Sequence, residues 1–182
     1  MNETDVGNPN LVVEAVNEQS RPIDLSALAR AARSVLHEEG VAAAEISLAV
    51  VDDPTIHDLN RRYLQHDYAT DVLSFLLDEQ QGRLEGEVIV SADTAAAAAE
   101  QYGWSLNDEL LLYVVHGALH LVGYDDLDPD SKAEMRRRER LHLARFGLTP
   151  RYAEDDQSGG GPVGSGPGGS GPVGSGPVGV GP

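Results

Sequence analysis

The chain contains no cysteine. Disulfides and cysteine-ligated zinc sites are therefore excluded, and cysteine usage carries no information about redox compartment. Basic residues are scarce, with 13 Lys and Arg against 30 Asp and Glu and a net charge of −17. Broad, sequence-independent affinity for nucleic acid rests on Lys and Arg neutralising phosphates. Any RNA binding must then come from one local face or from partners, and no DNA binding is expected. Long apolar runs are missing too. The longest charge-free stretch before the C-terminal tail is residues 110–124, which holds two histidines and is too short to span a bilayer. No N-terminal basic-then-apolar segment resembles a signal peptide. These absences predict a soluble, cytoplasmic protein with no membrane association. At 182 residues, 41% of them hydrophobic, one folded domain is expected.

The chain is organised around H-G-A-L-H-L-V-G-Y-D-D at 116–126. An apolar run before it reads as a buried helix. His116 and His120 are four apart, which on a helix turns the second side chain only about 40° from the first and lifts it about 6 Å. Both imidazoles then face one way. Gly123 ends the helix, and the turn returns Asp125 and Asp126 past its end. Two imidazoles and a following carboxylate form a three-ligand metal site, with either aspartate as the third ligand. The residue after His116 is Gly117, so the glutamate base of H-E-x-x-H metalloproteases is missing.

Patterning along the chain predicts a strand over 10–19, a helix over 24–39 capped by Asp24 and a strand over 45–51. A helix follows from Asp52-Asp53-Pro54 to about Leu64. Strands over 72–77 and 86–91 then pair as a hairpin with a longish loop. An Ala-rich helix over 91–102 precedes a long helix opening at Ser105-Leu106-Asn107-Asp108, and Asp128-Pro129 opens the last helix, to about Phe146. The order β-α-β-α-β-β-α-α-α predicts an α+β fold, a single domain with a mixed sheet of about four strands covered by helices. Residues 1–157 form that domain. Residues 158–182 contain only Ser, Gly, Pro and Val and are expected to be a disordered tail.

The H-G-x-L-H-L-x-G-Y-D pattern resembles the signature of the YbeY family of rRNA maturation factors and metal-dependent endoribonucleases. A second stretch, L-N-R-R-Y-L-Q-H-D-Y-A-T-D-V-L-S-F at 59–75, is similar to that family's L-N-x-x-Y-R-x-x-D-x-P-T-D-V-L-S-F. Gly86-Glu87-Val88-Ile89 resembles the strand after it. Together these cover about residues 45–145. The resemblance implies an α+β fold with a metal site at one end of a cleft. It implies His116, His120 and Asp126 as metal ligands, Asp125 aligning with a non-ligand position. The family's third ligand is usually histidine, so Asp126 alters the charge of the site and opens it to ions harder than Zn2+. One Zn2+ per chain is the expected cofactor, with water at its open position. Two departures stand out: Ala69 replaces the family's proline, and Leu64 replaces an arginine thought to act on the RNA phosphate.

No catalytic side chain is assigned. Ser74 and His66 are weak candidates, against the plainer readings that Ser74 ties the loop to its strand and His66 is a solvated loop residue. Basic residues gather in the last helix, and Arg136, Arg137, Arg138 and Arg140 are candidate RNA contacts. The ordinary reading of that run is a solvated face paired with Glu134 and Glu139. The resemblance implies a single-strand endoribonuclease acting in small-subunit rRNA 3′ end maturation, ribosome assembly and quality control, with rRNA and the small ribosomal subunit as partners. The alternatives are a non-catalytic assembly factor with a structural metal, and a metal-dependent hydrolase of another phosphate or ester.

Overall fold

A computed structural model describes residues 8–152. The expected tail at 158–182 lies outside the described residues, as do the ends of the expected domain. The elements run β1 (Leu11–Asn17), α1 (Leu25–Glu38), β2 (Ala43–Val51), α2 (Asp53–Leu64), β3 (Val72–Gln80), β4 (Arg83–Ser91), α3 (Ala92–Tyr102), α4 (Leu106–Leu121) and α5 (Pro129–Leu143). One turn of 3₁₀ helix, Ala144–Phe146, extends α5. The four strands form one mixed sheet in the order β1-β2-β4-β3. β1 and β4 flank β2 in parallel, and β3 pairs antiparallel with β4. This is the expected α+β fold with a four-stranded mixed sheet.

The local causes are capping and alternation. The Asp24, Asp52 and Ser91 side chains each accept a backbone N–H of the first turn of their helix, supplying donors that have no partner inside the helix. Ser105 and Asp108 close a reciprocal capping box at the start of α4. Along β3, Val72 packs in the main core beside Val88, Val90 and Leu119, while Leu73 faces the other side with Ile56 and Ile89. Successive side chains of a strand point to opposite faces. The main core therefore lies between the sheet and helices α1 and α4, and α2 covers part of the opposite face.

The hairpin differs from the expectation of a longish loop. Both strands run on until Gln80 pairs with Arg83, leaving the two-residue turn Gln81-Gly82. Both turn residues have positive φ, 51° and 78°, as a tight hairpin turn of this hand requires. Glutamine seldom adopts that conformation. A register shift between Leu76 and Asp78 also breaks the alternation. The period-2 signal stops there, although the ladder continues.

Helix α4 is apolar nearly all round, as a helix enclosed by other elements should be. It touches α1, α3, α5, β3 and β4. Gly117 lets it press onto the hairpin. A Cβ there would stand 2.7 Å from Val88 Cγ1, 2.9 Å from Ser74 Oγ and 3.0 Å from Val72 Cγ2. Gly117→Ala is accordingly expected to destabilise the fold by about 2 kcal/mol, within the usual range for overpacking a core. Denaturant titration of the two proteins measures the difference. No helix among the described residues is long and apolar enough to cross a membrane.

Candidate metal centre

Both histidines sit in the last two turns of α4, His120 buried and His116 partly so. Gly123, at φ 97°, lets the chain reverse. The Gly123 N–H donates to the His120 carbonyl at 3.0 Å, and the Tyr124 N–H to that of Leu119 at 3.1 Å. The reversal carries Asp126 back over the helix end. His116 Nε2 and His120 Nε2 lie 2.8 Å apart. Asp126 Oδ2 is 3.9 Å from the first and Asp126 Oδ1 3.9 Å from the second. His116, His120 and Asp126 thus offer three ligand atoms within 4.8 Å of one another. Two donors sharing one tetrahedral zinc lie about 3.3 Å apart, between the two spacings seen here.

The far side of each ring is fixed. His116 Nδ1–H donates to Glu139 Oε1 at 2.6 Å, and His120 Nδ1–H to the Tyr124 carbonyl at 2.8 Å. With both protons on Nδ1, the two Nε2 lone pairs face each other, which is repulsive unless a cation, a proton or a metal ion, lies between them. The donor set and its supports therefore fit a divalent cation. Burial is the largest influence on His116 and disfavours its charge, but Glu139, Asp71 and Asp126 together outweigh it, so its pKa lies above the ordinary imidazole value. Burial and the charge of His116 push His120 down, to about 4. Of the two rings, His116 is thus the one that holds a proton more readily.

A cavity of 460 Å³ opens from this end of α4. His116 and Asp126 form one part of its wall. Asp71, Glu109 and Tyr113 line it too, as do Lys132, Arg136 and Tyr152. Glu109, Tyr113, His116 and His120 make a single polar stripe along α4, at spacings of four, three and four. Burial raises Glu109 to about 7. It also raises Asp71, against the charge of His116 and the hydrogen bonds from Thr70 and Val72.

The other candidates are dispersed. The Ser74 hydroxyl donates to the Gly117 carbonyl at 3.1 Å and is buried. It pins β3 to α4. The His66 ring stacks on Tyr68 with centroids 5.5 Å apart, and its Nδ1 is buried without a hydrogen-bond partner. Neither lines the cavity. Leu64 packs with the small cluster of Leu73 and Ile89, on the sheet face away from α4. Arg61 and Arg62 both pair with Asp58.

The arginines of α5 divide. Arg137 pairs with Glu134, and Arg138 bridges Glu134 and Glu39. Arg136 and Arg140 lie over the Tyr152 ring, 4.4 and 5.1 Å from its centroid. Glu139 does not belong to a solvated face. It is 3% exposed and turned inward onto His116. Nothing in the sequence links residues 23 positions apart, so Glu139 and Tyr152 carried no readable signal. The polar stripe did, since Glu109 and Tyr113 share the histidines' helical face. Glu139→Gln is expected to weaken metal affinity by about 10–100-fold, as loss of a carboxylate behind a ligating histidine does. Titration with a competing chelator measures it.

The sequence profile described as Endoribonuclease YbeY matches residues 14–147. The match takes in the second half of β1 and all of α1, beyond the motif-bearing stretch at 45–145. Endoribonuclease YbeY of Rhodopirellula baltica is 41% identical over 133 residues, covering 72% of this chain and 69% of that protein. The Bacillus licheniformis protein of the same description is 37% identical over 154 residues, covering 77% and 98%. The solution structure of TM1509 from Thermotoga maritima superposes with a TM-score of 0.52 at 21% identity, over 75% of this chain and 91% of that one. That likeness bears on the fold alone. The profile match and the identity over most of both chains join with a helix, turn and sheet arranged around two histidines: this chain belongs to the YbeY endoribonuclease family.

Proposed function

We propose that this chain is a metal-dependent endoribonuclease that cuts single-stranded RNA, and that it acts in the cytoplasm on small-subunit ribosomal RNA, in 3′ end maturation, ribosome assembly and quality control. The observation that carries the reading is the convergence of His116, His120 and Asp126 with both Nδ1 atoms already bonded behind them. These three side chains would hold one Zn2+; the carboxylate also suits a harder divalent ion. When bound, such an ion supplies Lewis acidity, making water a better nucleophile and drawing charge from a phosphoryl oxygen.

The protein's own groups supply position and charge. Glu139 and the Tyr124 carbonyl set the tautomer and orientation of the two rings. Lys132 and Arg136 put positive charge at the cavity wall, where a phosphate backbone would otherwise meet a strongly acidic protein. Leu112 and Met135 make part of the same wall apolar, limiting water beside the reacting bond.

A second reading, a non-catalytic assembly factor whose metal fixes the helix-to-turn junction, is favoured by Leu64 standing where the family's arginine would be. One experiment separates them. Protein purified without a metal-affinity column is analysed for bound metal, then incubated with single-stranded RNA carrying the 3′ end of a small-subunit rRNA precursor. Cleavage that stops in chelator and returns with Zn2+ or Mn2+ is the expected result. Uncut RNA with every divalent metal tried, from protein that still associates with small subunits, would leave assembly as the function.

A further inference from the structure

We propose that Asp71 is the proton acceptor for the attacking water in RNA cleavage, a catalytic residue in addition to the three ligand side chains. This rests on the endoribonuclease reading. The first argument is placement. In H-E-x-x-H enzymes the base follows the first histidine on the helix. Here that position, Gly117, has no room for any side chain, because β3 and β4 press against it. The strand that fills the space is β3, and Asp71 is the residue immediately before it. Asp71 lines the same cavity as His116 and Asp126. The carboxylate absent from the helix is thus delivered by the neighbouring strand.

The second argument is orientation. The Thr70 hydroxyl donates to Asp71 Oδ1 at 3.0 Å and the Val72 N–H donates to the same atom at 2.9 Å. These bonds hold the carboxyl group in one pose at the cavity wall.

The third argument is elimination among the other carboxylates lining the cavity. Asp126 is a ligand. Glu139 is engaged by His116 Nδ1–H and the Tyr152 hydroxyl. Asp53 accepts the hydroxyls of Ser91 and Thr94. Glu109 precedes His116 by seven residues, about 10 Å along the helix axis. Burial strengthens Asp71 as a base, with His116, Glu109 and Tyr113 the titratable groups of α4 that bear on it. A carboxylate whose affinity for protons is raised accepts them more effectively than an ordinary surface carboxylate.

In the step, the water oxygen bonds to phosphorus as its proton passes to Asp71. The bond from phosphorus to the leaving ribose oxygen breaks, and that oxygen takes a proton from solvent. Asp71 then returns its own proton to solvent. One water is consumed per cut.

The test is Asp71→Asn in the full chain, loaded with Zn2+, on an end-labelled single-stranded RNA oligonucleotide. Asparagine keeps an acceptor for Thr70 and Val72 but cannot take a proton. The expected result is a fall in kcat of about 10²–10⁴-fold, with metal content and affinity for the oligonucleotide in the absence of metal retained and Tm not lowered. Asp71→Ala is the second variant. Formate should restore its cleavage by about tenfold or more while leaving the natural protein unaffected, because a small carboxylate can occupy the vacated volume and accept the proton. A purely structural aspartate would show no such rescue. The proposal is overturned if Asp71→Asn stays within about threefold of the natural protein, if its loss tracks lost metal or a lowered Tm, or if formate does nothing. A natural protein that cuts no RNA with any metal overturns the endoribonuclease reading and Asp71 with it. A natural protein that cuts, beside an equally active Asp71→Asn, overturns Asp71 alone.

Discussion

Replacing His120 by alanine is expected to leave the protein without bound metal and RNA cleavage at background. Three candidate ligand atoms converge at the end of α4, and His120 contributes the most enclosed of them, with a side chain 3% exposed. Its removal leaves His116 and Asp126, too few to compete with water for a divalent ion, and it leaves the Tyr124 carbonyl without its donor. Loss of a supporting group behind a ligand costs about 10–100-fold. Loss of the ligand itself should exceed that, giving at least about a 10³-fold fall in affinity. Elemental analysis after gel filtration reads the metal, and the oligonucleotide assay reads the cleavage. A further readout does not depend on activity. Metal that binds only the folded chain stabilises it by about 4 kcal/mol at a thousand times its Kd, so Zn2+ should raise the Tm of the natural protein and leave that of His120→Ala unmoved. One metal ion per chain in the purified variant would remove His120 from the ligand set. Acid should mimic the substitution. A bound metal would compete with protons for these rings, and the pKa of His116 is raised, so affinity should fall as pH drops and proton release should accompany binding.

Glu109→Gln is expected to stabilise the protein above neutral pH by up to about 3 kcal/mol and to change little in acid. Glu109 is 5% exposed, and burial raises its pKa from 4.5 to about 7. The unfolded chain therefore ionises this carboxyl more readily than the folded one. Below pH 4.5 both states hold the proton and the group makes no difference. As pH rises from 4.5 to about 7, only the unfolded state loses its proton, and stability falls by about 1.4 kcal/mol per unit. Above that range the penalty is constant. Glutamine stays neutral in both states and keeps a partner for the Tyr113 hydroxyl. Urea unfolding at pH 4.5 and at pH 8 measures the two limits. Equal ΔΔG at both would show that Glu109 titrates alike in the folded and unfolded chain. A buried carboxyl that costs stability, on the same stripe as the histidines, fits the general trade of stability for function in catalytic clefts.

What could be read from the chain was local in origin. Asp24, Asp52, Ser91, Ser105 and Asp128 each sit where the first turn of a helix needs an acceptor, and each does cap its helix. The histidine spacing places both rings on one side of α4 whatever surrounds the helix. Gly123 marks the reversal that returns Asp126. What could not be read lay between distant segments or broke a period. Patterning predicts shorter hairpin strands than the structure has, because a bulge after Leu76 and a turn starting with glutamine hide the ladder. Ser74 is a weak catalytic candidate by sequence, yet the close approach allowed by Gly117 commits its hydroxyl to a backbone carbonyl. Glu139, read as one of several acids on a basic helix, is instead the support for His116.

The sequence by itself determined the element order, the helical stripe and the candidate ligand set, because capping, periodicity and turn chemistry act over a few residues. Only the tertiary structure decided which carboxylates face that stripe. Burial and charge at the cavity depend on α5 packing across α4 and on β3 entering beside Gly117, contacts between segments tens of residues apart whose chemistry no local pattern encodes.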